Sequence, residues 1–157
     1  MHLYRIGPEQ YLRNMSGLGA SYRDGARWNL PGLPAVYFGL SPSVAMLEMA
    51  NYLPSPRLVP KSYRLAQYEI QGADYDQWTI QDLPSDWNSF PHAYSTQNLG
   101  SEWLKQNQKL LLILPSAAVP AGLENIALFN PNHPDAANIS LLKSLTEIYS
   151  ERMFRGV

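Results

Sequence analysis

Proline and glycine are the residues that most constrain the folding of this chain. Thirteen prolines and ten glycines are scattered along 157 residues, and neither residue clusters into a linker. Proline does not fit a helix interior or a central strand, and glycine favours turns. A chain of this length can bury one ordinary core but not two. The sequence therefore predicts a single domain, residues 1–157, built from short elements.

Charge and cysteine content exclude several classes of function. Twelve Lys and Arg residues against thirteen Asp and Glu residues give a formal net charge of -1, which attracts neither nucleic acid nor an anionic membrane. Without cysteine there is no disulfide, no thiolate metal site and no cysteine nucleophile. Residues 1–5 lack the apolar run of a signal peptide. We therefore expect a soluble, cytoplasmic protein with no direct nucleic-acid or membrane partner.

Local patterns predict several of the elements. Ser41 followed by Pro42 is typical of a helix start, and Pro54 and Pro56 indicate where that helix has ended. Residues 110–114 form a continuous apolar run that suits a strand buried on both faces. We also predict strands at residues 35–38 and 64–70, a helix at 95–106, and loops at 17–25, 83–87 and 130–134. The pattern of residues 139–150 is ambiguous, because its apolar spacing fits a helix but its serine and threonine residues weaken that assignment.

Glu48 is the only formally charged residue between Arg27 and Arg57. It falls in the middle of the predicted helix, whose buried face we expect to consist of Met46, Met49, Ala50 and Leu53. Its helical neighbours are also largely apolar, and a carboxylate in such surroundings is paired, protonated or retained for chemistry. A structural and a functional explanation are about equally good on this evidence alone.

Four polar residues stand at or near the ends of apolar elements, where sites form. Arg27 precedes the strand at 35–38, Tyr37 lies within it, Glu48 lies on the next helix, and Ser116 follows the buried strand. Taken singly, Arg27 reads as a surface or ion-pair arginine, Tyr37 as a core tyrosine and Ser116 as a turn residue. The histidines His2, His92 and His133 lack metal-ligand spacing, which makes a metal enzyme a poor interpretation.

The ordered set of motifs resembles the RES-domain family, named after an Arg, a Glu and a Ser that match Arg27, Glu48 and Ser116. The match runs from about residue 4 to residue 152. Its motifs are Gly25-Ala26-Arg27-Trp28-Asn29 with Pro31-Gly32, Val36-Tyr37-Phe38, Leu47-Glu48, Gly100-Ser101-Glu102-Trp103-Leu104, Pro115-Ser116-Ala117 and Asn130-Pro131-Asn132-His133-Pro134.

The resemblance implies a compact α+β fold similar to ADP-ribosyltransferase toxins, with short mixed strands and surrounding helices. Relatives are extended at the position of residues 139–150, so the resemblance favours strands there. It also implies a toxin that destroys cellular NAD and pairs with an Xre-like antitoxin. NAD would be the substrate, with no further cofactor and no metal. The implied catalytic residues are Arg27, Tyr37, Glu48 and Ser116, and the implied substrate-binding residues are Arg27, Trp28, Asn29, Tyr37 and Ser116.

The chemistry of NAD cleavage suits these residue types. Breaking the nicotinamide–ribose bond develops positive charge on the ribose, which the carboxylate of Glu48 would stabilise. Arg27 would bind the diphosphate or a ribose, Tyr37 would stack on the nicotinamide or ribose, and Ser116 would hydrogen-bond a ribose or phosphate.

Three alternatives stay open at this stage. The acceptor of the ADP-ribose could be water, phosphate or a protein side chain, and the last would make the chain an ADP-ribosyltransferase. A non-catalytic nucleotide-binding or protein-binding domain would use the same cleft. An RNA-cleaving toxin fits poorly with the charge balance. A homo-oligomer is compatible with the sequence, which contains no direct sign of one.

Overall fold

The computed structural model describes residues 1–53, 55 and 58–153. Its strands are β1 His2–Pro8, β2 Val36–Gly39, β3 Tyr63–Ile70, β4 Tyr75–Gln77, β5 Leu111–Pro115, β6 Asn125–Phe129 and β7 Ile139–Leu145. Its α-helices are α1 Ala20–Asp24, α2 Pro42–Ala50 and α3 Tyr94–Gln106. Short 3₁₀ turns lie at Glu9–Tyr11, Ile80–Asp82, Pro120–Gly122 and Pro134–Asn138.

The seven strands form one sheet in the order β4-β5-β6-β2-β1-β3-β7. All neighbouring pairs are antiparallel except β4 and β5, which run parallel. Parallel neighbours need a long crossover connection, and here that crossover carries α3. This mixed sheet with few helices confirms the predicted α+β class and the expected single compact unit.

Side-chain alternation divides the core between two faces of the sheet. On the first face, the ring of Phe38 makes edge-on contacts with those of Tyr68 and Phe129, at centroid distances of 5.2 and 6.0 Å. On the second face, Tyr37 packs with a cluster that includes the buried Trp28 and Trp103. We call these the first face and the second face. Neighbouring residues of β2 thus serve opposite sides of the molecule.

Helix α2 begins as the sequence predicts. Ser41 is its N-cap, with the Ser41 Oγ accepting a hydrogen bond from the backbone N–H of Val44 at 3.1 Å, and Pro42 occupies the first turn. The helix ends at Ala50, whereas Pro54 and Pro56, which we predicted to mark its end, lie outside the described residues.

The buried face of α2 differs in part from the predicted one. Val44 and Ala45 are the buried residues of this helix. Met46, Met49, Ala50 and Leu53 are only half-buried. Ala45 packs in one cluster with Ile6 of β1, and Met46 and Met49 pack against the same cluster, so half of the predicted face does contribute to the core.

Most other predicted elements are confirmed. The strand at 64–70, the helix at 95–106 and the strand assignment of the tail correspond to β3, α3 and β7, and all five residues of β5 are buried. The predicted loop at 17–25 is partly wrong because it contains α1. Strands β1, β4 and β6 were not predicted, since their sequences carry no strong alternation.

Gly100 shows how tightly α3 packs against the loop that carries Arg27. A Cβ at Gly100 would lie 2.1 Å from the carbonyl oxygen of Trp28, which is far inside van der Waals contact. Alanine normally stabilises a helix by about 1 kcal/mol over glycine. We expect Gly100→Ala instead to lower the free energy of unfolding by about 3 kcal/mol through overpacking, measured by urea denaturation.

The matched control is Gly7→Ala in β1, because a Cβ there meets nothing within 4 Å. We expect this variant to be neutral or to gain about 0.5 kcal/mol, as alanine replaces glycine in a strand. Equal free energies of unfolding for the two variants would contradict the close approach of α3 to Trp28.

Candidate active site

Glu48 and Ser116, which are 68 residues apart, meet on the second face of the sheet. The Ser116 hydroxyl donates a hydrogen bond to Glu48 Oε1 at 2.7 Å. Ser116 is fully buried and Glu48 is half-buried. The structure therefore joins the predicted glutamate and serine directly, with the carboxylate at the more accessible end of the pair.

The backbone around Ser116 fixes the direction of its hydroxyl. The backbone N–H of Ala118 donates to Ser116 Oγ at 3.1 Å. The backbone N–H of Ser116 itself donates to the carbonyl oxygen of Glu124 at 2.8 Å. Since the oxygen accepts from Ala118, its own proton is directed at Glu48. This pairing was not predictable from the sequence, because residues so distant along the chain carry no spacing signal.

The carboxylate of Glu48 is positioned through the cap of α2. Ser41 caps the helix and also donates from its hydroxyl to Glu124 Oε2 at 2.9 Å. Val44, one turn before Glu48, is fully buried and anchors the helix to the second face. Glu124 therefore contacts both partners of the hydrogen-bonded pair. Its side chain binds the cap of the helix that carries Glu48, and its backbone carbonyl binds the N–H of Ser116.

Tyr37 holds the loop that precedes β2. Its hydroxyl donates to Asn29 Oδ1 at 2.7 Å and accepts from the backbone N–H of Trp28 at 3.1 Å. Burial raises the pKa of Tyr37 well above the ordinary range of a tyrosine, so this hydroxyl keeps its proton at neutral pH. Tyr37 is thereby tied to the residues on either side of the peptide bond between Trp28 and Asn29.

Asn29 and Trp28 are completely buried. The Asn29 amide nitrogen donates to three backbone carbonyls, those of Ser21, Leu30 and Leu33, at 2.8 to 3.3 Å. Both side chains thus fix the shape of the loop that carries Arg27. Their predicted contact with substrate stays a prediction, whereas their role in positioning the loop follows from the structure.

Arg27 lies on the rim of the same region and is half-buried. Its Nη1 donates to the carbonyl oxygens of Trp87 and Ser89, at 2.7 and 2.9 Å. Burial lowers the pKa of Arg27, and the charge of Glu48 opposes that shift. The two groups are close enough to influence each other, yet no ion pair of 4.0 Å or less joins them among the described residues.

Two residues that the site prediction missed lie in the same electrostatic neighbourhood. Tyr52 is 71% exposed, and desolvation of its hydroxyl and then the charge of Glu48 raise its pKa, against the effect of Arg27. Burial lowers the pKa of His92, and the charge of Arg27 lowers it further. Tyr52 was detectable as the residue one helical turn after Glu48, whereas nothing in the sequence links His92 to Arg27.

The structure shows two absences within residues 1–53 and 58–153. No three His, Cys, Asp or Glu side chains there are grouped so that they could hold a metal ion. None of the helices in that part of the chain is both long and apolar enough to traverse a bilayer.

Comparison with known proteins gives consistent matches over most of the chain. The family model described as the RES domain matches residues 2–149. The protein named Toxin Res from Yersinia enterocolitica is 37% identical over 134 residues, which cover 85% of this chain and 86% of that protein. The protein named Prs ADP-ribosylating toxin from a Sphingobium species is 34% identical over 145 residues, covering 90% and 88%.

A solved structure shares the fold. One chain of the MbcT-MbcA toxin-antitoxin complex of M. tuberculosis superposes with a TM-score of 0.73, covering 92% of this chain and 82% of that chain. The sequence identity is only 18%, so this likeness concerns the architecture.

Tyr37→Phe isolates the contribution of the tyrosine hydroxyl. The change leaves the backbone N–H of Trp28 and the Asn29 side-chain oxygen without their partner in a buried place. We expect the free energy of unfolding to fall by about 1 to 3 kcal/mol, because an unsatisfied buried polar group carries that cost. Urea denaturation measures the loss, and Tyr11→Phe, at a tyrosine that is 53% exposed, is the control. Equal stability of the two variants would contradict the positioning role.

Proposed function

The chain belongs to the RES domain family, and from that premise we propose that it is the toxin of a toxin–antitoxin pair that cleaves the nicotinamide–ribose bond of NAD. The observation that carries the proposal is the hydrogen bond from Ser116 to Glu48, on a carboxylate that shares its surroundings with Arg27. This combination offers one negative group for a developing cation and one positive group for a diphosphate.

The reaction requires no strong acid. When the bond between the ribose C1′ and the nicotinamide nitrogen breaks, its electron pair goes to the ring, which leaves as a neutral molecule. Positive charge then develops on the ribose, as in glycoside cleavage. The carboxylate of Glu48 stabilises that charge and accepts a hydrogen bond from a ribose hydroxyl. A carboxylate that is already oriented stabilises this charge most effectively, because it need not reorganise during the reaction.

Arg27 is suited to hold the substrate rather than to neutralise Glu48. Its Nη1 is bound to two backbone carbonyls, which orient the plane of the guanidinium. A guanidinium presents five donors in a rigid fork, so its remaining edge can bind phosphate oxygens. Because Arg27 and Glu48 make no ion pair within the described structure, binding a diphosphate breaks no such bond.

Ser116 acts through Glu48 in this proposal. Its hydroxyl proton points at the carboxylate and its oxygen accepts from Ala118, so it is a positioning residue. Tyr37 likewise positions the loop of Arg27 through its hydroxyl, while its half-buried ring would pack against the nicotinamide or the ribose.

The acceptor of the ADP-ribose decides the product. Water gives ADP-ribose, and phosphate gives its 1″-phosphate ester. ADP-ribosylation of a protein is the second candidate, favoured by the name of the Sphingobium relative. Since the same cationic ribose forms in each case, all three use Glu48 in the same way.

The partner we propose is an antitoxin protein of the Xre type. A toxin role is supported by the structural neighbour, which comes from a toxin-antitoxin complex, and by the name Toxin Res of the Yersinia relative. A toxin that depletes NAD would act in the cytoplasm, where that pool and a protein antitoxin are both available.

Glu48→Gln tests the mechanism directly. The amide oxygen can still accept from Ser116, so the fold is retained while the negative charge is lost. We expect nicotinamide release from NAD to fall by about 10³-fold, the size of effect that follows removal of one preorganised charge-stabilising group. Nicotinamide is measured by chromatography in phosphate-free and phosphate-containing buffer, with acceptor protein present or absent.

The control for this charge change is Glu147→Gln at an exposed position, and it should retain full activity. Saturable NAD binding by the unaltered chain with no release under any of the conditions would identify a binding domain and refute the enzyme. Equal release by Glu48→Gln would remove Glu48 from the mechanism.

Ser116→Ala separates positioning from substrate contact. Without the hydroxyl, the carboxylate loses the bond that fixes its direction, and small displacements of a reacting group cost up to about 10²-fold in rate. We therefore expect kcat for nicotinamide release to fall by about 10- to 100-fold with little change in KM. Steady-state kinetics give both values, and Ser43→Ala, at an exposed position of α2, is the control. A rise in KM at unchanged kcat would instead indicate direct contact between Ser116 and NAD.

A further inference from the structure

Three aromatic rings occur within five residues at the start of α3. Phe90, His92 and Tyr94 alternate there with Pro91 and Ala93, and we call residues 90–94 the aromatic segment. Phe90 is 88% exposed, the largest exposed fraction among the large hydrophobic side chains that the structure describes, and Tyr94 is 68% exposed. Isolated exposed apolar residues are common on proteins, whereas a group of them beside a site indicates a binding surface.

A hydrogen bond connects the aromatic segment to Arg27. Arg27 Nη1 donates to the carbonyl oxygen of Ser89 at 2.9 Å. That oxygen and the Cα of Phe90 belong to one planar peptide unit, and they lie on the same side of its C–N bond because the peptide is trans. The side chain of Phe90 therefore starts from the same peptide unit that the guanidinium binds.

The chain around Phe90 is anchored at several points. Trp87 is buried in the core of the second face. The Ser95 hydroxyl donates to Asp86 Oδ1 at 2.7 Å, which ties the beginning of this loop to α3. The rings of Phe90 and His92 meet edge-on, with their centroids 6.2 Å apart. Phe90 is thus exposed on an anchored loop, so its ring is already in place for a ligand.

The aromatic segment carries no acidic group that would repel an anion. No formally charged residue occurs between Asp86 and Glu102. Burial lowers the pKa of His92, and the charge of Arg27 lowers it further, so the imidazole is neutral at neutral pH. A guanidinium next to uncharged rings matches the two parts of a nucleotide, because phosphate oxygens bind the cation and a base stacks on an aromatic face.

The aromatic segment lies on the Arg27 side of the candidate site. Glu48 accepts from Ser116, which follows β5, whereas Arg27 donates to the carbonyls of Trp87 and Ser89, which precede the aromatic segment. The two charged groups are therefore held by different parts of the chain. A ligand that extends from Glu48 past Arg27 reaches the aromatic segment next.

We infer that the ring of Phe90 is the platform on which the adenine base of the substrate stacks. The inference rests on the function proposed above, in which Glu48 faces the nicotinamide ribose and Arg27 holds the diphosphate. The diphosphate of NAD joins two ribosides, so the adenosine half continues beyond Arg27. Phe90 then makes the chain selective for the dinucleotide over nicotinamide mononucleotide, which has the same reacting bond and no adenine.

Adenosine diphosphate is the first probe, because it carries the adenine and the diphosphate but no nicotinamide. Its dissociation constant is measured on the full chain by isothermal titration calorimetry. We expect Phe90→Ala to raise it about 10-fold, the size of effect that follows loss of one base–aromatic stack. Phe90→Leu keeps an apolar side chain without a ring and should also weaken binding, whereas Phe90→Tyr should not. Tyr11→Ala, at an exposed tyrosine outside the aromatic segment, is the control.

Two substrates separate stacking from a structural role of Phe90. In Phe90→Ala, KM for nicotinamide release from NAD should rise about 10-fold at unchanged kcat, because the lost contact is far from the reacting bond. KM for release from nicotinamide mononucleotide should stay the same. Equal changes with both substrates would show that the substitution disturbs the site as a whole, and they would overturn the inference.

The binding experiment distinguishes failure of this inference from failure of the proposed function. Weaker binding of adenosine diphosphate in Phe90→Ala and Phe90→Leu, with normal binding in Phe90→Tyr, supports the platform even if the chain releases no nicotinamide. Absence of binding to the unaltered chain, or an unchanged dissociation constant in Phe90→Ala, would refute the platform even if NAD is cleaved.

Discussion

The pairing of β2 between β1 and β6 holds the candidate site together. The side chain of Tyr37 faces the site from this short strand, and its hydroxyl fixes the loop of Arg27. At the other end, Gly39 lets the chain turn directly into α2, because a Cβ there would lie 2.7 Å from the backbone of that helix. Ser41 then caps the helix that carries Glu48. This short strand thus sets the positions of both charged residues, Arg27 on the loop before it and Glu48 on the helix after it.

The two charged groups of the site are held by neutral partners. Glu48 accepts from the Ser116 hydroxyl, and Arg27 donates to backbone carbonyls. A direct ion pair would have offset part of the burial cost of each charge, but a substrate would then have to displace it. Neutral partners orient the groups while leaving their opposite charges available. This arrangement supports the role that we propose for the lone carboxylate of an otherwise uncharged segment.

Much of the fold follows from local patterns, whereas the site is predictable only in part. The Ser41-Pro42 start of α2 and the buried run of β5 were predictable because each depends on adjacent residues. Strands β4 and β6 were not, since a three-residue strand offers no periodicity and the apolar run of β6 is only four residues long, too short to distinguish a strand from a buried helix segment. The buried face of α2 was predictable only in part, because the helix packs on two clusters, through Val44 on one and through Ala45 and Met49 on the other. Within the site, Ser116 arrives from a distant strand, and only a family resemblance links it to Glu48.

The bond between Ser116 and Glu48 is restrained from both sides by one residue. The Glu124 side chain accepts from the cap of α2, and its backbone carbonyl accepts from the N–H of Ser116. The side-chain contact is exposed and therefore weak, whereas the backbone contact belongs to the turn between β5 and β6. The geometry of the pair thus depends mainly on the backbone, and the Ser116 hydroxyl serves to aim the carboxylate within a frame that the sheet has already set.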